Sequence, residues 1–374
     1  MLSSNLFEYL KWRGDLSFDA SPVNTVDGLA FAELSYNHFQ GIVSEDFRNQ
    51  KSLAQVCEDF NKSPDVKERK NMGFGINPLC PELLLSAGKT NRFGQIKVCG
   101  YKEIFDEEKV IQFAAITFVI GKTAVVAFRG TDDSITGWEE DFYITFKDIV
   151  PSKTLAFEYL NEVASYFKHD IIVCGHSKGG HMAVYAASMV DPKIQKRIKK
   201  IYNMDGPGFI YPDFYKSESY LRIRPVIETR YVQSDIVGML FHHDTNYKVI
   251  KAVDKGINQH DPLTWQICGT HLVDGGDFTD ESKFFEKTIN EWVDGESLED
   301  REKFIKALFQ IYHATGYKNN YDIMKNKLQS TKGIIKCFSA MDRTTKKEIR
   351  RILGAFKDIV QSELPIFNIL SIEK

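Results

Sequence analysis

A chain that carries Ile171-Ile-Val-Cys-Gly-His-Ser-Lys-Gly-Gly180 has few folds open to it. Ile171 to Cys174 are four apolar residues, a short buried strand. Gly175-His176-Ser177-Lys178-Gly179 then spell G-x-S-x-G. Met182, Ala183, Tyr185, Ala186 and Met189 follow with helical spacing, and Asp191-Pro192 stops them. Strand, sharp turn and helix with a serine at the apex are the parts of a nucleophile elbow. The serine must take a strained backbone conformation, so its neighbours two residues away must be glycine, because a Cβ there would collide with the turn. The competing reading is a glycine-rich turn around an inert serine.

A length of 374 residues suits a large α/β domain with an appendage, and 43% hydrophobic residues supply its core. A net charge of −3 gives no reason to expect nucleic acid or anionic membranes as partners. The six cysteines are scattered, with no C-x-x-C pair, and read as reduced thiols of a cytoplasmic protein. Residues 1–14 lack both a basic n-region and a continuous apolar h-region, so they are not read as a signal peptide. No run reaches the roughly 18 apolar residues of a membrane span.

Val26–Tyr36 suits a helix packed on a core, and the polar stretch 46–75 reads as loop with short helix. Strands are expected at Ile96–Tyr101, Gln112–Ile120 and Thr123–Phe128, with a hairpin turn at Gly121-Lys122. A helix over Pro151–Phe167 precedes the elbow. Further strands follow at Ile201–Met204, Val226–Val232 and Tyr247–Val253. This alternation predicts an α/β fold with a mostly parallel sheet and antiparallel strands at one edge, and the elbow set into it makes the α/β-hydrolase fold the expected one. After Thr279 only helices are expected, at Phe284–Val293, Leu298–Ala314, Tyr321–Leu328 and Lys346–Leu364. The division is therefore a hydrolase domain over 1–295 and a helical C-terminal extension over 296–374.

A serine hydroxyl needs a base to take its proton and donors for the developing oxyanion. In α/β-hydrolases the acid and then the histidine follow the serine. Asp235 comes directly after one predicted strand and His260 after the next, so both would emerge at the carboxyl edge of the sheet. Asp205 and Asp213 compete with Asp235, and His243 and His271 with His260. Lys178 would give one oxyanion donor through its backbone N–H. The loop Phe128-Arg-Gly-Thr-Asp132 would give the other, Gly130 allowing close approach.

Phe-Arg-Gly-Thr131, Gly137-Trp138 and Gly-His-Ser-Lys-Gly-Gly180 together resemble the lipase class 3 group of α/β-hydrolases. More closely, the chain is similar to a mainly bacterial family of lipase-like proteins. The likeness includes Asn91-Arg92-Phe93, Gly137–Phe142, Asp205–Phe209 and Gln259-His-Asp-Pro262, and runs from about residue 5 to 270. The resemblance implies that Thr131 completes the oxyanion hole by backbone and hydroxyl. It implies that Asp141 holds that hydroxyl, and that Ser234-Asp-Ile-Val237 bears the acid. Two departures stand out. Lys178 replaces a usual leucine, and the lid segment Ser134–Asp141 carries Glu139, Glu140 and Asp141 where an apolar surface is usual. The lid acids predict activity on soluble short-chain esters without interfacial activation. Lys178 is expected to have a carboxylate partner, Asp205 or Glu140.

The expected chemistry is that of a serine esterase. Ser177 is the nucleophile, His260 the base, Asp235 the acid, and Thr131 and Lys178 the oxyanion donors, acting on a small ester or acyl substrate. No cofactor or metal is implied. Phe241-His-His-Asp244 lacks metal-ligand spacing, because adjacent residues point in different directions. Residues 325–351 hold nine Lys/Arg against two acids, a local +7, which reads as a solvated helix face, with docking to an acidic protein partner or anionic lipid as the alternative. Membrane contact is not expected. The rival from another class is a catalytically silent hydrolase fold used as a scaffold, and peptidase or thioesterase chemistry is a third reading.

Overall fold

The structure is a computed structural model that describes residues 4–234 and 236–360, with side chains to Arg351. Its main sheet has eight strands: β1 Lys51–Ser52, β2 Lys97–Asp106, β3 Ile111–Ile120, β4 Thr123–Phe128, β5 Ile171–His176, β6 Ile198–Met204, β7 Ile227–Val232 and β8 Tyr247–Ile250. They lie side by side in sequence order. β1 to β4 pair antiparallel, and β4 to β8 pair parallel. Gly121 turns the β3–β4 hairpin at φ 57°, a left-handed conformation that suits glycine.

The period-two alternation of the strands sorts their side chains into two cores. Val125, Ala127, Ile172 and Cys174 face one way, against helices Leu6–Arg13, Thr25–Leu34, Leu53–Lys62 and Cys80–Gly88. Ala124, Val126, Phe128, Ile171 and Val173 face the other way, against helices Pro151–Tyr166 and Lys178–Met189. Every residue of β5 is buried, as a strand covered on both faces requires. The arrangement is the α/β-hydrolase fold with antiparallel edge strands and a helical C-terminal part.

The short helix expected within 46–75 is the ten-residue Leu53–Lys62, while Cys80–Gly88 and most of Lys327–Ala340 are helices where none was expected. Leu53–Lys62 buries Leu53, Val56, Cys57 and Phe60 and is capped by a Ser52/Gln55 box. That stripe is helical in period but isolated among charges. Lys327–Ala340 buries only Ser330, Ile334 and Phe338, and leaves Leu328 and Ile335 exposed. So thin a stripe gives weak periodicity. The expected helix Lys346–Leu364 is observed as Arg343–Val360, and its remainder lies outside the described residues.

A third cluster joins Ile135, Tyr143, Ile144 and Phe146 to Phe304, Leu308, Phe309 and Tyr312. It spans both sides of residue 296. Helix Ile135–Tyr143 thereby packs against helix Leu298–His313, with Phe142 and Phe309 at 5.4 Å between ring centroids. Elsewhere Arg92 and Asp27 form a wholly buried ion pair, and Arg92 also donates to the carbonyls of Leu16, Ser21 and Pro22. This explains Asn91-Arg92-Phe93 as a structural motif that ties the first helices to the core. All six cysteines are free thiols. Among the described residues no helix is long and apolar enough to cross a membrane.

Candidate active site

Ser177 stands between β5 and helix Lys178–Met189 with φ 57° and ψ −132°, a conformation costly for any residue with a Cβ. Its amide donates to Met204 O at the end of β6, at 2.9 Å. The flanking glycines are needed for room. A Cβ on Gly175 would lie 2.2 Å from the Gly179 carbonyl, and one on Gly179 would lie 2.1 Å from Phe128 O. The steric argument made from the sequence therefore describes the turn as built.

The residue after Met204 is Asp205, also at positive φ (55°) and fully buried. Its amide donates to Arg230 O, and its Oδ1 accepts from Val232 N. Asp205 Oδ2 lies 2.6 Å from His260 Nδ1. His260 ends a short turn of helix, Gly256–His260, after β8. That turn is pinned by Trp265 Nε1 donating to Gln259 O and by Ser234 N donating to Gln259 Oε1. Asp235, the acid expected from strand order, lies outside the described residues. Among those described, the carboxylate on His260 Nδ1 is that of Asp205.

His176, next to the nucleophile, packs against His260 with ring centroids 4.4 Å apart and planes tilted by 38°. Its Nε2 lies 2.9 Å from His260 O and its Nδ1 2.9 Å from the Tyr36 hydroxyl. A carbonyl only accepts, so Nε2 carries the proton, and Nδ1 accepts from Tyr36. Burial, with His260 alongside, holds the His176 pKa well below its usual value, so the ring stays neutral. The sequence reading gave His176 no role. It fastens the backbone of His260 beside the elbow. Behind it Glu33 is enclosed and pushed up to about 8 by burial and by the charge of Asp261.

On the other side of the serine, the Thr131 hydroxyl donates to Asp141 Oδ2. Lys178 Nζ reaches Gln112 O at 3.1 Å, Glu140 Oε2 at 3.2 Å and Asp141 Oδ1 at 3.4 Å. The Lys178 side chain is 2% exposed and that of Glu140 0%. Burial alone would lower the lysine pKa, but Asp141 and Glu140 outweigh it and hold the ammonium above its ordinary value. Of the two partners expected for Lys178, Glu140 is present; Asp205 serves His260 instead.

The acids of the lid segment are not its lipid-facing surface. Glu140 accepts from Gln112 N and Ser152 N as well as from Lys178. Glu139 accepts from the Tyr143 hydroxyl at 2.7 Å and pairs with His313 Nε2 at 2.8 Å. They are paired and turned inward, which corrects the premise that they stand unpaired where a lid would meet lipid. The apolar residues of that helix are covered instead by the C-terminal helices.

The other candidates disperse. His271 is exposed on a separate two-stranded hairpin. Asp213 is exposed and pairs with Lys216. His243 faces the Tyr231 hydroxyl, Asp244 pairs with Arg224, and His242 lies near Asp294, so these neighbours converge on no common point. Among the described residues His176, Asp205 and His260 bring potential ligand atoms within 4.8 Å of one another. Both nitrogens of His176 are already engaged, which makes the trio a proton-bearing network. A small cavity lined by His181, Asn203, Tyr215 and Tyr220 shares no residue with Ser177, Asp205 or His260.

The Mbeg1-like family model matches residues 87–310, 224 of the 374. Three fungal proteins of solved structure are similar in part. A mutant form of MDLA from Penicillium cyclopium is 16% identical, with 67% of this chain and 85% of that one covered at a TM-score of 0.36. Lipase II from Rhizopus niveus is 17% identical, with 61% and 89% covered at 0.36. The Rhizomucor miehei lipase propeptide complex is 20% identical, with 55% and 67% covered at 0.32. The fold assignment rests on the sheet order and the elbow rather than on these likenesses. No curated protein matches the chain.

Proposed function

The chain belongs to the Mbeg1-like family, and from that premise we propose that it is a serine hydrolase cleaving an ester or acyl bond through an acyl-enzyme. The observation that carries this reading is the 2.6 Å contact of Asp205 with His260 Nδ1, made beside a strained serine. Ser177 Oγ attacks the carbonyl carbon while His260 Nε2 takes its proton. Asp205 holds the imidazole tautomer, in the part that strand order gave to Asp235. The backbone N–H groups of Thr131 and Lys178 receive the oxyanion. The proton returns to the leaving group, and water then releases the acyl group by the same steps. No cofactor enters this chemistry. We also place the protein in a reducing compartment such as the cytoplasm, on six free thiols of which four are buried.

A fluorophosphonate probe followed by peptide mapping tests the reading. The expected result is a covalent adduct on Ser177, absent in Ser177→Ala and strongly slowed in His260→Ala. A silent scaffold fold would leave the serine unmodified in folded protein. On a panel of soluble esters, Ser177→Ala should lose about 10⁴-fold or more in kcat. Asp205→Asn should lose roughly 10³–10⁴-fold. A larger loss in Asp235→Asn than in Asp205→Asn would return the acid to Asp235.

A further inference from the structure

An ammonium enclosed beside a nucleophile is costly unless carboxylates accompany it. Lys178 has two, and their onward connections differ. Glu140 accepts from Gln112 N and Ser152 N, which ties it to the start of β3 and the first turn of helix Pro151–Tyr166. Asp141 faces Nζ through Oδ1 at 3.4 Å, an ionic contact, and accepts the Thr131 hydroxyl on Oδ2. From Lys178 the second path thus returns to the loop that bears the other oxyanion donor. The first donor is the backbone of Lys178 itself.

We propose that the Lys178 ammonium is a positioning group for the oxyanion hole, fixing Thr131 through Asp141 while its own backbone supplies the facing donor. This rests on the serine hydrolase reading above. The side chain is buried and does not meet substrate. Its effect therefore belongs to the transition state, where charge develops on the oxygen, and appears in kcat with KM little changed. Glu140, although it is the nearer carboxylate, leads away from Thr131 and contributes packing and charge balance only.

The test is a pair of double-mutant cycles on the full chain, read as kcat and KM for p-nitrophenyl butyrate with thermal unfolding alongside. Lys178→Met should lower kcat about 10- to 100-fold. In an Asp141→Asn background the same change should cost less than about threefold, because the path is already cut. In a Glu140→Gln background, which removes the fully buried one of the two carboxylates that Lys178→Met leaves without a cation and so limits the loss of stability, it should cost its full factor. The proposal is overturned if the loss disappears with Glu140→Gln instead, if the losses multiply with Asp141→Asn, or if Lys178→Met keeps wild-type kcat. A wild type labelled at Ser177 with an indifferent Lys178→Met sinks this proposal alone. A wild type with neither label nor turnover sinks it together with the hydrolase reading.

Discussion

At the scale of the residue, the site is a set of side chains whose protonation is decided by what encloses them. Glu33 shows this most clearly. Its carboxyl is raised to about 8, so the folded state keeps a proton that the unfolded chain releases above its ordinary value of 4.5. The sign follows directly. As pH rises from about 4.5 to about 8 the unfolded state gains relative to the folded one, and stability falls. Glu33→Gln keeps the shape without the ionisation. Its urea midpoint should therefore gain on that of the wild type across this interval, and a gap independent of pH would show that Glu33 titrates normally.

Some of these residues could be read from the chain, and the reasons are local. Ser177 declares itself because the glycines on either side answer a steric demand within five residues. His260 could be singled out because the loop after β8 is long enough to return over the sheet. Asp205 was harder. Asp-Gly-Pro-Gly reads as an ordinary turn, and nothing in the residue type announces the positive φ that accompanies its contact with His260. Glu140 could be named in advance as a partner for Lys178, because a lysine beside the nucleophile needs a carboxylate, but Glu139 was read from the pattern of a surface segment and its partner His313 lies 174 residues away. Pairings at that distance leave no periodic trace.

At the scale of the element, the elbow is a problem of clearance. Gly179 sits where helix Lys178–Met189 starts against the end of β4, and its missing Cβ leaves space for Phe128 O. Gly179→Ala must push two backbone segments apart, at a cost of about 3 kcal/mol. Its thermal midpoint should fall, and labelling of Ser177 should slow more than the loss of folded protein explains. The control is Gly295→Ala, at the end of a helix where nothing lies within 4 Å, which should leave both almost unchanged. Equal effects at the two positions would refute the clearance argument.

At the scale of the whole molecule, the C-terminal helices pack against the helix that carries Asp141. Ile135 N donates to Lys318 O, Asn320 N to Asp133 O, and Phe309 meets Phe142 edge to face. The helix in the lid position thus has its apolar residues already covered, which gives the soluble-substrate expectation a basis other than the lid acids. Rates on a sparingly soluble ester should rise smoothly through its solubility limit, with no jump at the appearance of droplets. Phe309→Ala removes one of these contacts and should create or enlarge such a jump. A sharp interfacial activation already present in the wild type would contradict this account.

The same ties have a consequence in time. The loop that carries Thr131 and the helix that carries Asp141 are synthesised long before their fastenings at residues 309–320. At about 5–20 residues per second, roughly ten to forty seconds separate the two on the ribosome. A nascent chain that already holds the serine and its elbow still lacks the helices that anchor the neighbouring helix. The order of synthesis thus works as a delay, and the site acquires its finished form only after the serine has been in place for many seconds.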